Sequence, residues 1–161
     1  MEFEERLRDR DTWTADACSA AKTLDLLSTK TVFLVIRECF YGTSRFDDFV
    51  QRIGSSAPAV SRALKQLESA GIVARVPYRE PGSRARDEYR LTAAGEDLLP
   101  VLLSLTQWGD AHLQDGRGAP LEFVDARTGR AVHVCVTADD PAPARSGGIR
   151  IRVAEPGQPL K

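Results

Sequence analysis

The chain has 161 residues, 42% of them hydrophobic, and a formal net charge of −1. That length suits one ordinary domain plus an appendage, and the apolar content is enough for a core, which excludes wholesale disorder. No apolar run approaches the roughly 18 residues of a membrane span, and the mixed acids and arginines of residues 1–11 are not a secretory signal. A soluble, cytoplasmic protein with no membrane partner is expected.

Residues 1–16 read as a polar N-terminal arm, with Asp16 as the cap of a first helix over Ala17–Leu27. A second helix, Thr31–Phe40, is apolar almost all round and predicted to be deeply buried, with Gly42 closing its C-terminus. Ser44 is predicted to cap a third helix over Arg45–Ile53, whose Phe46, Phe49, Val50 and Ile53 share one face. Gly54-Ser55 breaks that helix, and Ser56 caps a fourth over Ala57–Ala70, with Pro58 in the first turn, where a missing N–H costs little. Gly71 stops it.

Two strands, Ile72–Val76 and Glu88–Leu91, flank a loop from Pro77 to Asp87 whose Pro81-Gly82-Ser83 reads as a hairpin tip. Thr92 is predicted to cap one long helix reaching Leu113, kinked by Pro100. Beyond Gln114 glycine and proline become frequent. Leu121–Asp125, Ala131–Val136 and Ile149–Val153 then read as short strands, with a loop at Asp139–Pro143. The expected organisation is an arm (1–16), a DNA-binding and dimerisation domain (17–113) and a β-rich appendage (114–161).

Helix, tight break, helix, strand, loop, strand is the winged helix-turn-helix order. The fold class expected is mainly α with a small β-hairpin wing and a short β-rich C-terminal appendage. In such a fold one helix enters the major groove and the wing lies along phosphates or the adjacent minor groove. Charge placement agrees: residues 30–90 carry eleven bases against seven acids, a local excess of +4. On the fourth helix Val60, Leu64 and Leu67 point inward, and Arg62 falls opposite them. The candidate DNA contacts are Ser56, Pro58, Ala59, Ser61, Arg62, Lys65 and Gln66 on that helix and Arg79, Arg84 and Arg86 in the wing. The same residues taken singly also fit a solvated helix face and a charged turn.

An ordered set of residues carries a family resemblance. It comprises Cys18, Leu24-Asp25-Leu26-Leu27, Lys30, Ile36-Arg37-Glu38, Gly42, Arg45-Phe46, Leu64, Leu67-Glu68 and Ala70-Gly71-Ile72-Val73. It continues through Glu88-Tyr89-Arg90-Leu91-Thr92, Gly95, Leu98-Leu99-Pro100-Val101-Leu102 and Trp108-Gly109. On these residues the chain resembles the HxlR family of winged-helix regulators, relatives of the MarR group. The resemblance implies double-stranded DNA as partner, a homodimer, and transcriptional control, as a repressor or an activator. It departs at Ser28-Thr29-Lys30-Thr31, where the family usually has Gly-Gly-Lys-Trp, at Ala57-Pro58, where the proline has moved by one, and in a longer wing around Ser83–Arg86.

In several members of that family the cysteine matching Cys18 senses oxidants or electrophiles. Here Cys18 is expected in the first turn of a helix with Lys22 one turn on, which favours a thiolate; packing at a dimer interface is the plainer role. Cys39, on the buried helix, is expected to be packing alone. The expected dimer interface is an apolar stripe of Leu98, Leu102, Leu105 and Trp108. In the tail His133 and Cys135 are too few for structural zinc, and no metal or cofactor is expected. No Walker loop, GxSxG or HExxH motif is present, so an enzyme is not expected. The alternative to a DNA-binding regulator, with a small-molecule or oxidant effector, is a winged-helix module that binds protein.

Overall fold

The computed structural model describes residues 18–79, 84–137 and 145–153, together with Glu5, Asp9 and Gly82. The expected arm (apart from Glu5 and Asp9), the capping role of Asp16, Pro81 and Ser83 of the hairpin tip, and the loop at 139–143 lie outside the described residues.

Four helices come first: α1 (Ser19–Leu26), α2 (Lys30–Phe40), α3 (Phe46–Ile53) and α4 (Ala57–Ser69). α1 begins two residues later than expected. Cys18 is its N-cap residue, extended at φ −75° and ψ 114°, and not a first-turn residue. α2 is capped by the Thr29 side chain, which accepts from the Val32 N–H at 3.2 Å. Its burial is one-sided: Val32, Val35 and Ile36 are buried while Phe33 and Leu34 are half-buried. α2 packs against both α3 and α4, and Val35, Phe49, Val60 and Leu67 reach 0% exposure where the three meet.

Ser44 does not cap α3; Arg45 holds the N-cap position without a side-chain cap bond. Ser44 is claimed by the wing, its carbonyl accepting from the Tyr89 N–H at 2.8 Å and its hydroxyl donating to Glu88 at 3.3 Å. Ser56 caps α4 as expected, accepting from the Ala59 N–H.

The wing is an antiparallel pair, β1 (Val73–Tyr78) and β2 (Arg86–Leu91), in register from Val73–Leu91 to Tyr78–Arg86. It is longer than expected. Pro77 lies in β1 opposite Asp87, and Arg86 opens β2 instead of sitting in the loop. The far edge of β2 bridges to Arg45, so the wing is tied to the start of α3.

The expected single helix is two: α5 (Ala93–Glu96) and α6 (Leu99–His112), separated by a turn at Asp97-Leu98. Pro100 sits in the first turn of α6. It has no N–H to bond Glu96 and so divides the helix outright instead of kinking it. The junction from wing to α5 is close-packed. Thr92 Oγ1 donates to the Gly71 carbonyl at 2.6 Å and accepts from the Gly95 N–H at 3.2 Å. A Cβ at Gly95 would run into the Ile72 carbonyl oxygen.

In the appendage β3 (Leu121–Asp125) and β4 (Ile149–Val153) pair antiparallel over the expected residues. The strand expected at Ala131–Val136 shrinks to a bridge at Ala131 and one bond from the Val132 N–H to the Phe123 carbonyl, 2.8 Å. Val134 has instead left the sheet for α6, where the Gln107 amide donates to its carbonyl at 3.3 Å and accepts its N–H at 3.1 Å. Among the described residues no helix is long and apolar enough to cross a membrane.

Candidate nucleic-acid interface

The break between α3 and α4 is short because Gly54 turns left-handed at φ 67° and its N–H closes on the Val50 carbonyl. Ser55 and the Ser56 cap then start α4 at once. Val60, Ala63, Leu64 and Leu67 are buried along one side of α4, and Pro58, Arg62 and Lys65 are exposed on the other. Ala59 and Ser61 are half-buried at the margin. α4 leads into the wing within four residues through Gly71, at φ 71°, and Ile72, whose N–H bonds the Leu67 carbonyl. Arg79, Arg84 and Arg86 of the wing are all exposed.

The other bases of this region are mostly spoken for. Arg37 pairs with Glu38 at 2.8 Å, Arg52 donates to Thr43 at 2.9 Å, and Arg90 pairs with Glu88 at 2.6 Å. Arg75 pairs with Glu68 at 2.8 Å and Asp87 at 3.6 Å. The Arg45 guanidinium lies 4.8 Å from the centre of the Tyr78 ring. Arg62 and Lys65 of α4, Arg84 and Arg86 of the wing and Lys30 at the start of α2 are exposed beside them.

Gln66 departs from the expected base-facing set. It is half-buried, and its amide nitrogen donates to the Leu26 carbonyl at the end of α1 at 2.8 Å. No sequence signal announces this, since the bond spans 40 residues.

Glu38 is the one buried acid among the described residues, at 5% exposure. Its carboxylate takes Arg37 on one oxygen and the Thr43 hydroxyl, at 2.9 Å, on the other. With Arg52 on Thr43 this chain of bonds locks the end of α2 to α3. Cys39 beside it is pushed up to about 12, by burial first and by the Glu38 charge second, so its thiol is inert at neutral pH. Cys18 and Cys135 are exposed.

The expected dimer stripe divides in two. Leu102 is 1% exposed and Leu98 packs against the core, so both serve their own chain, as do Leu99 and Leu103. Leu105 and Trp108 remain outward at 52% and 57% exposure, and Leu24 of α1 is 68% exposed. A groove of about 500 Å³ opens between α6 and residues 133–136, lined by Trp108 and His112, whose rings lie 5.0 Å apart. Among the described residues no group of three or more His, Cys, Asp or Glu side chains is placed to hold a metal ion.

Known proteins share this layout. The HTH-type transcriptional regulator Rv3095 of Mycobacterium tuberculosis, itself uncharacterized, is 36% identical over 105 residues. That alignment covers 65% of this chain and 65% of the relative, so the chain spans about two-thirds of the relative's length. The crystal structure of PA1607, a candidate transcription factor, superposes with a TM-score of 0.69 at 28% identity, covering 83% of this chain and 93% of that one. The redox regulator HypR in its oxidized form gives 0.53 at 29% identity, covering 59% and 97%. The longer overlap with PA1607 reaches past the winged helix into the appendage. A family model described as HxlR-like helix-turn-helix matches residues 26–117, from the end of α1 to beyond α6, and the chain belongs to that family.

Proposed function

We propose that the chain is a sequence-specific transcriptional regulator that binds double-stranded DNA as a homodimer in the cytoplasm. In this reading residues 17–113 form the DNA-binding and dimerisation unit and residues 114–161 an appendage to it. One observation carries it: Arg62 and Lys65 stand exposed on α4, opposite a fully buried face and next to a wing whose three arginines are exposed. α4 lies in the major groove, Arg62 reads base edges, and Arg79, Arg84 and Arg86 hold phosphate or the minor groove. Leu105 and Trp108 of α6, with Leu24, supply the apolar surface for the second copy.

The effector in this reading is an oxidant or electrophile acting at Cys18, exposed at the head of α1. HypR, similar in fold, is named a redox regulator. The groove beside Trp108 is the site for a small-molecule effector should Cys18 prove indifferent.

The test is anisotropy on a duplex that the protein selects from a random pool, measured across salt. Wild-type affinity should fall steeply with salt. Arg62→Ala should lose about 1–3 kcal/mol on the selected duplex and little on random DNA. Leu105→Asp with Trp108→Asp should reduce the solution mass to one chain. Diamide should release DNA from wild type and not from Cys18→Ser. A folded chain that binds no duplex at low salt would leave the protein-binding module as the reading.

A further inference from the structure

α1 is weakly held by apolar packing. It has eight residues, none of them fully buried; Leu26 and Leu27 are its anchors on the core. A helix of that length does not stand alone in water. Its last carbonyls have no partner within the helix. The Leu27 N–H closes on the Thr23 carbonyl at 2.9 Å, which leaves the Leu26 carbonyl facing outward at the C-terminal, electronegative end.

The group that meets it comes from α4. Gln66 Nε2 lies 2.8 Å from the Leu26 oxygen and 3.4 Å from Ser28 Oγ. Only the amide nitrogen can face a carbonyl, so the direction of the bond is chemically determined. Gln66 is one helical turn beyond Arg62 and adjacent to Lys65 on α4. The same α1 carries Cys18 at its head and exposed Leu24 on its flank.

We infer that Gln66 is a positioning residue, a clamp through which the attitude of α1 is imposed on the DNA-facing side of α4. This rests on the proposed DNA-binding function. Gln66 touches no base. It holds α4 at one end of α1, so a displacement of α1 by a partner copy or by modification of Cys18 pulls the turn that presents Arg62 and Lys65.

The experiment uses the full chain with two substitutions. Gln66→Met keeps length and neutrality but cannot donate; Gln66→Lys keeps a donor suited to a helix C-terminus. Amide hydrogen exchange of residues 22–27 is read without DNA, and affinity is read on the selected duplex and on random duplex. Gln66→Met should speed exchange in α1 about tenfold, the effect of one hydrogen bond, and leave α3 unchanged. It should weaken the selected duplex about tenfold and random duplex hardly at all. Gln66→Lys should restore slow exchange. Unchanged α1 exchange in Gln66→Met overturns the clamp. Faster exchange with undiminished specific affinity overturns its role in positioning. Altered preference at a single base pair with normal exchange makes Gln66 a base reader instead. A wild type that binds no duplex removes the DNA reading and this role with it, and the exchange arm still reports separately whether the bond holds α1.

Discussion

The three-helix core and the C-terminal appendage are held together by different means. Between α2, α3 and α4 four side chains reach 0% exposure, and both carboxylate oxygens of buried Glu38 are bonded. Among the described residues of the β3–β4 appendage Val124 alone is fully buried. The appendage is tethered by polar atoms: Gln107 to Val134, Ser146 to Glu96 at 2.6 Å, and Arg145 to Asp97 at 3.4 Å. Apolar burial resists any single change of surface chemistry, whereas polar tethers at or near the surface each contribute little and can be released one at a time. The three-helix core is therefore expected to behave as a rigid platform and the appendage as a part that opens locally.

That contrast can be broken at four places. Phe49→Ala, in the centre of the core, should cost about 3–5 kcal/mol and lower the global melting transition. Glu38→Ala should cost about 2 kcal/mol, less than a fully buried pair because Arg37 is 32% exposed at its side chain. Gly95→Ala probes the junction. Glycine to alanine inside a helix ordinarily stabilises by up to about 1 kcal/mol, but here the new methyl meets the Ile72 carbonyl, and a net loss of about 1–2 kcal/mol is expected in denaturant melts. Gln107→Ala should be the mildest. It should leave the global transition in place and raise amide exchange in residues 131–137 by an amount worth about 1 kcal/mol. A global loss from Gln107→Ala, or a purely local one from Phe49→Ala, would erase the distinction between platform and appendage.

The elements legible from sequence are those whose signal is local. The breaks at Gly42, Gly54 and Gly71 follow from the conformational freedom of glycine, and all three have positive φ. β4 alternates apolar and basic residues and falls where that alternation predicts, while β3 falls at its expected bounds although Phe123-Val124 interrupts its alternation. Residues 131–136 alternate as well, yet Val134 gives its backbone to Gln107, a partner no pattern of period two contains. Ser44 looks like a cap, but its carbonyl is taken by Tyr89, far along the chain. On α6 the apolar residues 98, 99, 102, 103 and 105 make two stripes. Helical periodicity says that both want cover without saying which is covered by the chain itself, so it places Leu102 in the outer stripe, whereas Leu102 lies inward. The α4 face was legible for Arg62 and Lys65 and not for Gln66, because side-chain reach across 40 residues is a tertiary fact.

The division of the expected long helix at Asp97-Leu98 bears on the spacing of bound half-sites. In the proposed dimer each reading head hangs from α6 through a joint of two residues, with Pro100 just beyond it. α6 has 14 residues, so it is a lever about 21 Å long. A rotation of about 10° at such a joint moves the far end by about 4 Å, close to the rise of one base pair. A continuous helix would hold the two heads at one separation. In that reading a jointed one would let the same dimer adjust to operators with different half-site spacing at Asp97-Leu98, within the limit set by Leu98, Leu99, Leu102 and Leu103, which pack on their own chain.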